Sequence, residues 1–304
     1  MRPLLLSFVI LFLSSCVAGD HLLLRRDPLT RTKGKLKKFR LKDTDVRIFS
    51  LPDPEPVPDI SSNCIPRRLL RPFEAVLRPS PAKDLPEIET DKLIEACREL
   101  KASMIAVGQD RNAAEIDRNL QKVEALRRMA PPGRRETLRA LLEYEKELGV
   151  HNQDGRLKDP SGAMGLLWIR RSLAFQERMY TYILDKPVAP ANEAALKAYR
   201  ETLEPYHGRA LQLVYSMALK NTTPNRHEML QKLCAAPENK FGAAEENATA
   251  QELRKLCETW KPVSQIFSFY FCRFLLRVVV HPSKDSLLVY CPDSPAFEFM
   301  GRYF

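Results

Sequence analysis

The sequence predicts an all-α fold. Most apolar runs recur at three and four positions, and glycine is scarce, at 11 of 304 residues. With 44% hydrophobic and 28% charged residues, the chain also carries enough apolar material for one large core or two small ones.

The chain opens MRPLLLSFVILFLSSCVAGD: a basic start at Arg2, an apolar run from Leu4 to Leu13, then small residues that fit cleavage near Ala18. Residues 1–18 read as a signal peptide, since the apolar run is too short for a spanning helix. An uncleaved anchor and a lipoprotein box at LSSC are the competing readings. A real signal predicts a secretory or extracellular location; without it, a cytoplasmic protein touching membranes peripherally.

Residues 19–83 read as a basic, proline-rich arm. Between His21 and Arg47 there are ten Lys/Arg against three Asp, so the formal net charge of +10 belongs mostly to this tail. Such a run either holds anionic lipid, at about 1 kcal/mol per basic residue, or is a solvated arm. Its one aromatic, Phe39, is poor provision for base stacking, so nucleic acid is not an expected partner. The following LPDPEPVPDISSN is spaced by prolines and has little to bury, which places the start of the folded domain near Leu85, over residues 84–270.

From IETDKLIEACREL onward the period is helical, with Leu93, Ile94, Cys97, Leu100 and Met104 on one side. Further helices are predicted over 112–130, ended by PPG, and from RRETLRALLEYEKELGV. After the polar loop HNQDGRLKDPSG comes a helix containing GLLWIRRSLAF. Met164, Trp168, Phe175, Met179 and Tyr182 fall within about 60° on this helix, leaving a narrow strip with Arg170, Glu177 and Thr181 for water. The remaining helices are predicted at 191–204, 206–220, 226–235 and 250–271, with Pro205 dividing the first two. Residues 271–304 read as two strands and a turn.

Seven cysteines occur without a CxxC or zinc-like His/Cys spacing, so no metal is expected. Cys234 with Cys257 is the pair that a secretory route would oxidise first, because they flank one loop. Two sequons, at Asn221 and Asn247, are compatible with that route. No GxSxG, HExxH, phosphate loop or recognisable nucleophile context is present, which argues against an enzyme and against a cofactor.

Three places carry polar chemistry. EIDRNLQK sets Glu115, Asn119 and Lys122 within about 60° on one helix face, an acceptor, an amide and an ammonium that suit a polyhydroxyl or amide ligand, or else form a solvated ion network. Trp168 is either core or a flat platform. His207, beside the proline bend, is either a satisfied core histidine or a ligand contact.

EIDRNLQK, TLRALLEYEKEL, GLLWIRRSLAF and AYRETLEPYHG, in this order and spacing, strongly resemble the glycolipid transfer protein family, over about residues 84–270. The resemblance implies a two-layer all-α sandwich, a monomer without cofactor, carrying one sphingolipid with its chains in an apolar tunnel. It implies that Asn119 and Lys122 hydrogen-bond the head-group sugar, that the sugar stacks on Trp168, and that His207 binds the ceramide amide. Glu115 stands where the family has aspartate, which keeps the carboxylate but lengthens its reach. An indole suits the C–H faces of a sugar, which favours a glycolipid. Arg171, about 60° from Trp168, is the residue that would serve a phosphate, which keeps ceramide 1-phosphate as the alternative cargo. A membrane-bound sensor that holds its lipid without shuttling it is the reading of a different class. Arg209 takes the place of an aromatic that dips into the membrane in the family, so docking is expected either to be more electrostatic or to use other residues.

Overall fold

The computed structural model describes residues 64–79, 86–151, 157–185 and 190–275. The expected signal, the basic run, the LPDPEPVPDISSN segment and the strand-like tail lie outside them. Nine α-helices occur among the described residues: α1 (Ile65–Glu74), α2 (Thr90–Ala106), α3 (Asp110–Met129), α4 (Leu138–Glu147), α5 (Gly162–Asp185), α6 (Ala191–Thr202), α7 (Arg209–Thr222), α8 (Arg226–Cys234) and α9 (Ala243–Leu275). None of them is long and apolar enough to cross a membrane.

The boundaries follow local chemistry. Gly108, with φ +78°, supplies the left-handed step that separates α2 from α3. Thr137 caps α4 by accepting from the Ala140 amide at 3.3 Å, and Asn225 caps α8 by accepting from the Glu228 amide at 2.9 Å. Pro205 sits in a 3₁₀ turn, Glu204–Tyr206, which divides α6 from α7 as expected.

The helix α5 is central, packing against α3, α6 and α9, while α1 lies between α2 and α9 and closes the ring of helices. Phe73 of α1 meets the fully buried Trp260 of α9 edge to face, with ring centroids 5.4 Å apart. The domain therefore begins before Leu85. The helix IPRRLLRPFE escapes a reading by composition because its prolines look like linker, yet Pro66 falls in the first turn, where no amide hydrogen bond is needed.

A short antiparallel ribbon, β1 (Leu77–Arg78) with β2 (Glu87–Ile88), follows α1. Its buried Glu87 carboxylate accepts from Arg78 at 2.9 Å and from Arg139 of α4 at 2.5 Å, and the Tyr270 hydroxyl donates to the Pro86 carbonyl at 3.1 Å. The ribbon thus ties α4 and α9 to the same edge.

Two further expectations are corrected. Arg170 does not face water: it is buried, and its Nη1 donates to Ser268 Oγ of α9 at 2.9 Å, because α9 covers that side of α5. Cys64, Cys97, Cys234 and Cys257 are all buried free thiols, so Cys234 and Cys257 are not joined. The last helix also starts earlier than predicted, at Ala243.

Candidate functional site

The site forms where α3, α5 and the α6–α7 turn converge. The approach of α3 to α5 is set by Gly165: a Cβ there would lie 2.5 Å from the Asn119 carbonyl oxygen and 3.2 Å from Lys122 Cβ. Only glycine lets the two helices come this close, which brings the polar face of α3 beside Trp168. The start of α5 is fixed independently. Glu145 of α4, buried, accepts from the Gly162 and Ala163 amides at 2.7 Å each, satisfying two orphan donors with a charge that suits a helix N-terminus.

On α3, Asn119 is 1% exposed and its Nδ2 donates both to the Glu115 carbonyl and to Glu115 Oε1, each at 3.0 Å. Lys122 Nζ approaches Asn119 Oδ1 at 3.4 Å and pairs with Asp159 at 2.6 Å. The Glu115 carboxylate also pairs with Arg118. Glu115, Asn119 and Lys122 are therefore one hydrogen-bonded row rather than three separate groups. In it, Glu115 orients the amide of Asn119, and Lys122 is half-buried with its charge partly offset by the exposed Asp159.

Trp168 is only partly buried and packs against the core with one part of its ring. The His207 imidazole lies nearly parallel to it, 27° between planes and 5.8 Å between centroids. Arg171 spans the same corner, with its guanidinium 5.0 Å from the Trp168 ring and 3.5 Å from that of Tyr206. The guanidinium is thus held over two aromatic faces at this corner, close to His207. All of the predicted site residues are brought together here: Glu115, Asn119 and Lys122 on α3, Trp168 and Arg171 on α5, and His207 on the turn.

The residues not anticipated are the aromatics behind His207. Its Nδ1 lies 3.0 Å from the hydroxyl of the fully buried Tyr199. Tyr199 stacks on Tyr215 of α7 at 4.9 Å and 17°, and the Tyr215 hydroxyl donates to Asn112 Oδ1 at 3.3 Å, pinning α7 to α3. Burial, reinforced by the charge of Arg171 and only partly opposed by Glu115, pushes the His207 pKa down from 6.5 to about 4. His207 is thus neutral at physiological pH. Tyr199 and Asp159 lie in segments that read as an ordinary helix face and an ordinary loop; no local pattern marks them.

The neighbouring α7 has no buried residue. Leu213 and Met217 are 64% and 53% exposed, one turn apart, with Arg209 and Lys220 prolonging the same face. A cavity of about 570 Å³ lies elsewhere, against Ile65, Arg68, Lys232 and Ala236, remote from Trp168 in the fold.

A family profile described as glycolipid transfer protein matches residues 88–235, from β2 through α8. Over that segment the chain is similar to the glycolipid transfer protein family. It is 27% identical to a glycolipid transfer protein of Danio rerio over 162 residues, 51% of this chain and 75% of that one. In fold, the chain is similar to human ceramide-1-phosphate transfer protein in complex with 12:0 ceramide-1-phosphate, at 18% identity and a TM-score of 0.58 over 67% of this chain and 94% of the other. Arabidopsis ACD11 (accelerated-cell-death 11) gives 16% identity and a TM-score of 0.55 over 70% and 100%. The shared architecture is the two-layer helical sandwich of glycolipid transfer proteins, and here α1 and the whole of α9 lie outside the matched family segment.

Proposed function

We propose that this protein is a non-enzymatic carrier that moves one ceramide-based glycolipid between membranes. The observation that carries the reading is the convergence of a partly exposed indole, the Asn119–Lys122 polar row and a neutral histidine at a single corner. A sugar offers hydroxyls to the row and C–H faces to the indole, and a ceramide amide offers a carbonyl to an imidazole. Two of the relatives named above, the Danio rerio glycolipid transfer protein and the human ceramide-1-phosphate transfer protein, are by name transfer proteins for such lipids, which supports the same class of cargo here.

A ceramide holds roughly 30 CH₂ groups, and at about 0.8 kcal/mol each their exposure to water would cost on the order of 24 kcal/mol. A protein interior as apolar as the bilayer makes exchange between the two nearly neutral, so no covalent chemistry is required. The space between the layers is filled by apolar side chains, and the lipid chains enter by parting them. The exposed stripe of α7 docks the protein: Leu213 and Met217 insert at the interface while Arg209 and Lys220 meet anionic lipid head groups. Arg171 favours a second cargo, ceramide 1-phosphate, through its held guanidinium. On the same reading, a cleaved signal would place the transfer in the lumen or outside the cell, which secretion of a tagged full-length chain tests.

The test is vesicle-to-vesicle transfer of labelled galactosylceramide and labelled ceramide 1-phosphate, side by side, with the full chain and Trp168→Ala. The expected result is preferential galactosylceramide transfer that Trp168→Ala largely removes. Binding without transfer by the folded protein would instead identify a sensor, and preferential ceramide 1-phosphate transfer would assign the cargo to Arg171.

A further inference from the structure

The hydroxyl of Tyr199 faces Nδ1 of His207 at 3.0 Å, and among the described residues it has no other hydrogen-bond partner. Its ring is 0% exposed and is clamped in place by stacking on Tyr215, whose own hydroxyl is committed to Asn112. A buried phenol needs an acceptor for its proton. The single candidate is Nδ1, and it serves as an acceptor only if the imidazole carries its own proton on Nε2. The opposite arrangement, with Nδ1–H donating to the phenol oxygen, would leave a buried O–H without an acceptor. The His207 backbone is fixed as well: its amide donates to the Glu204 carbonyl at 3.1 Å and its carbonyl accepts from Gln212 Nε2 at 2.8 Å. The ring therefore has little freedom to trade one nitrogen for the other.

We infer that Tyr199 is a positioning residue that holds His207 as the neutral Nε2–H tautomer, so that the site presents a hydrogen-bond donor to an amide carbonyl of the bound lipid. The charged groups that act on the ring are Arg171 and Glu115, and Tyr199, Tyr215 and Trp168 pack around it. Their balance keeps the ring neutral; Tyr199 selects which nitrogen carries the proton. The inference rests on the lipid-carrier reading for the identity of the acceptor, but the tautomer itself is a property of the protein without lipid.

Two measurements on the full chain test it. In the ¹⁵N spectrum of the lipid-free protein at pH 7, His207 should show a pyridine-like Nδ1 and a pyrrole-like Nε2. Tyr199→Phe, which keeps the stacked ring and removes only the hydroxyl, should give a mixture of tautomers. A pyrrole-like Nδ1 in the wild type, or an unchanged spectrum in Tyr199→Phe, overturns the inference. In binding to vesicles containing galactosylceramide, Tyr199→Phe should weaken affinity about fivefold, the effect of one ordinary hydrogen bond, and should have no effect when His207 is already alanine. An equal loss in both backgrounds means that Tyr199 acts through packing and overturns the positioning role. If the tautomer is as stated but the wild type neither binds nor transfers any ceramide lipid, the carrier reading fails and the assignment of the acceptor fails with it. If transfer is normal and the tautomer is wrong, only the present inference falls. Should Tyr199→Phe not fold, the wild-type spectrum alone still decides the tautomer.

Discussion

The environment of His207 keeps its imidazole neutral well below the pH at which a free histidine takes up a proton. Burial and the neighbouring Arg171 lower its pKa from 6.5 to about 4, so the unfolded chain takes up a proton at pH values where the folded one does not. Stability contributed by the neutral ring is fully present above about pH 6.5 and is lost as the pH falls toward 4. Urea unfolding at pH 7.5 and pH 4.5 should therefore show a smaller acid-induced loss in His207→Gln than in the wild type; an equal loss would mean that other groups govern acid sensitivity. On the proposed reading, in which the neutral ring meets the lipid amide, lipid binding should stay level from pH 8 to about pH 5.5. At this scale Glu115, Asn119, Lys122, Trp168 and His207 were legible in the sequence, because spacing on helix faces and the order of four motifs are one-dimensional properties. Asp159 and the buried course of Arg170 were not, because each acquires its role from a segment distant in the chain, the row on α3 and the side of α9; the role of Tyr199 was not legible either, because only the fold of the α6–α7 turn sets His207, eight residues on, against its hydroxyl.

Helix pairs, rather than single helices, determine whether the site exists. The α3–α5 contact depends on Gly165, where a methyl group would meet a backbone oxygen at 2.5 Å, an obstacle that no side-chain rotation removes. Gly165→Ala should lower stability by about 1–3 kcal/mol, the usual cost of overpacking, although alanine is the better helix former. The same change should weaken galactosylceramide binding more than it weakens the fold, since it moves Asn119 and Lys122 away from Trp168. Thermal unfolding together with a binding isotherm checks this, and a variant as stable as the wild type would show that the helices can slide to accommodate the methyl group. Helices with a clean period of 3.6 residues were readable from sequence, α2 through α8 among them. Helix α1 was not, since Pro66 and Pro72 mask a ten-residue helix whose apolar residues matter only once α2 and α9 close over them.

For the whole molecule, transfer requires two separable acts: holding the lipid and meeting the membrane. On the proposed reading the second falls to α7, whose Leu213 and Met217 are exposed on a helix with no fully buried residue. Burying one such side chain in an interface is worth up to about 1.5–3 kcal/mol, and each 1.4 kcal/mol is tenfold in partitioning. Leu213→Glu with Met217→Glu should thus slow vesicle-to-vesicle transfer at least tenfold while leaving the melting temperature nearly unchanged, because neither side chain packs inside. A variant that transfers at the wild-type rate would move docking to another surface.

The first act depends on a closed sandwich, and α1 is what closes it. Phe73 is fully buried and sets its ring edge against Trp260, which α9 places in the core. Removing the ring leaves a cavity that the neighbouring helices only partly fill, so Phe73→Ala should cost about 3–5 kcal/mol. That is a large part of the roughly 5–15 kcal/mol that holds a domain folded. The chain's two tryptophans allow the effect to be located, since Trp260 is buried in the core and Trp168 is partly open at the site. In a Trp168→Phe background, the remaining Trp260 fluorescence should stay blue-shifted in native Phe73→Ala protein at 25 °C but red-shift at a lower urea concentration than in its parent. If the urea midpoint is unchanged, α1 is an appendage rather than a wall of the sandwich, and the domain effectively begins near Leu85 after all.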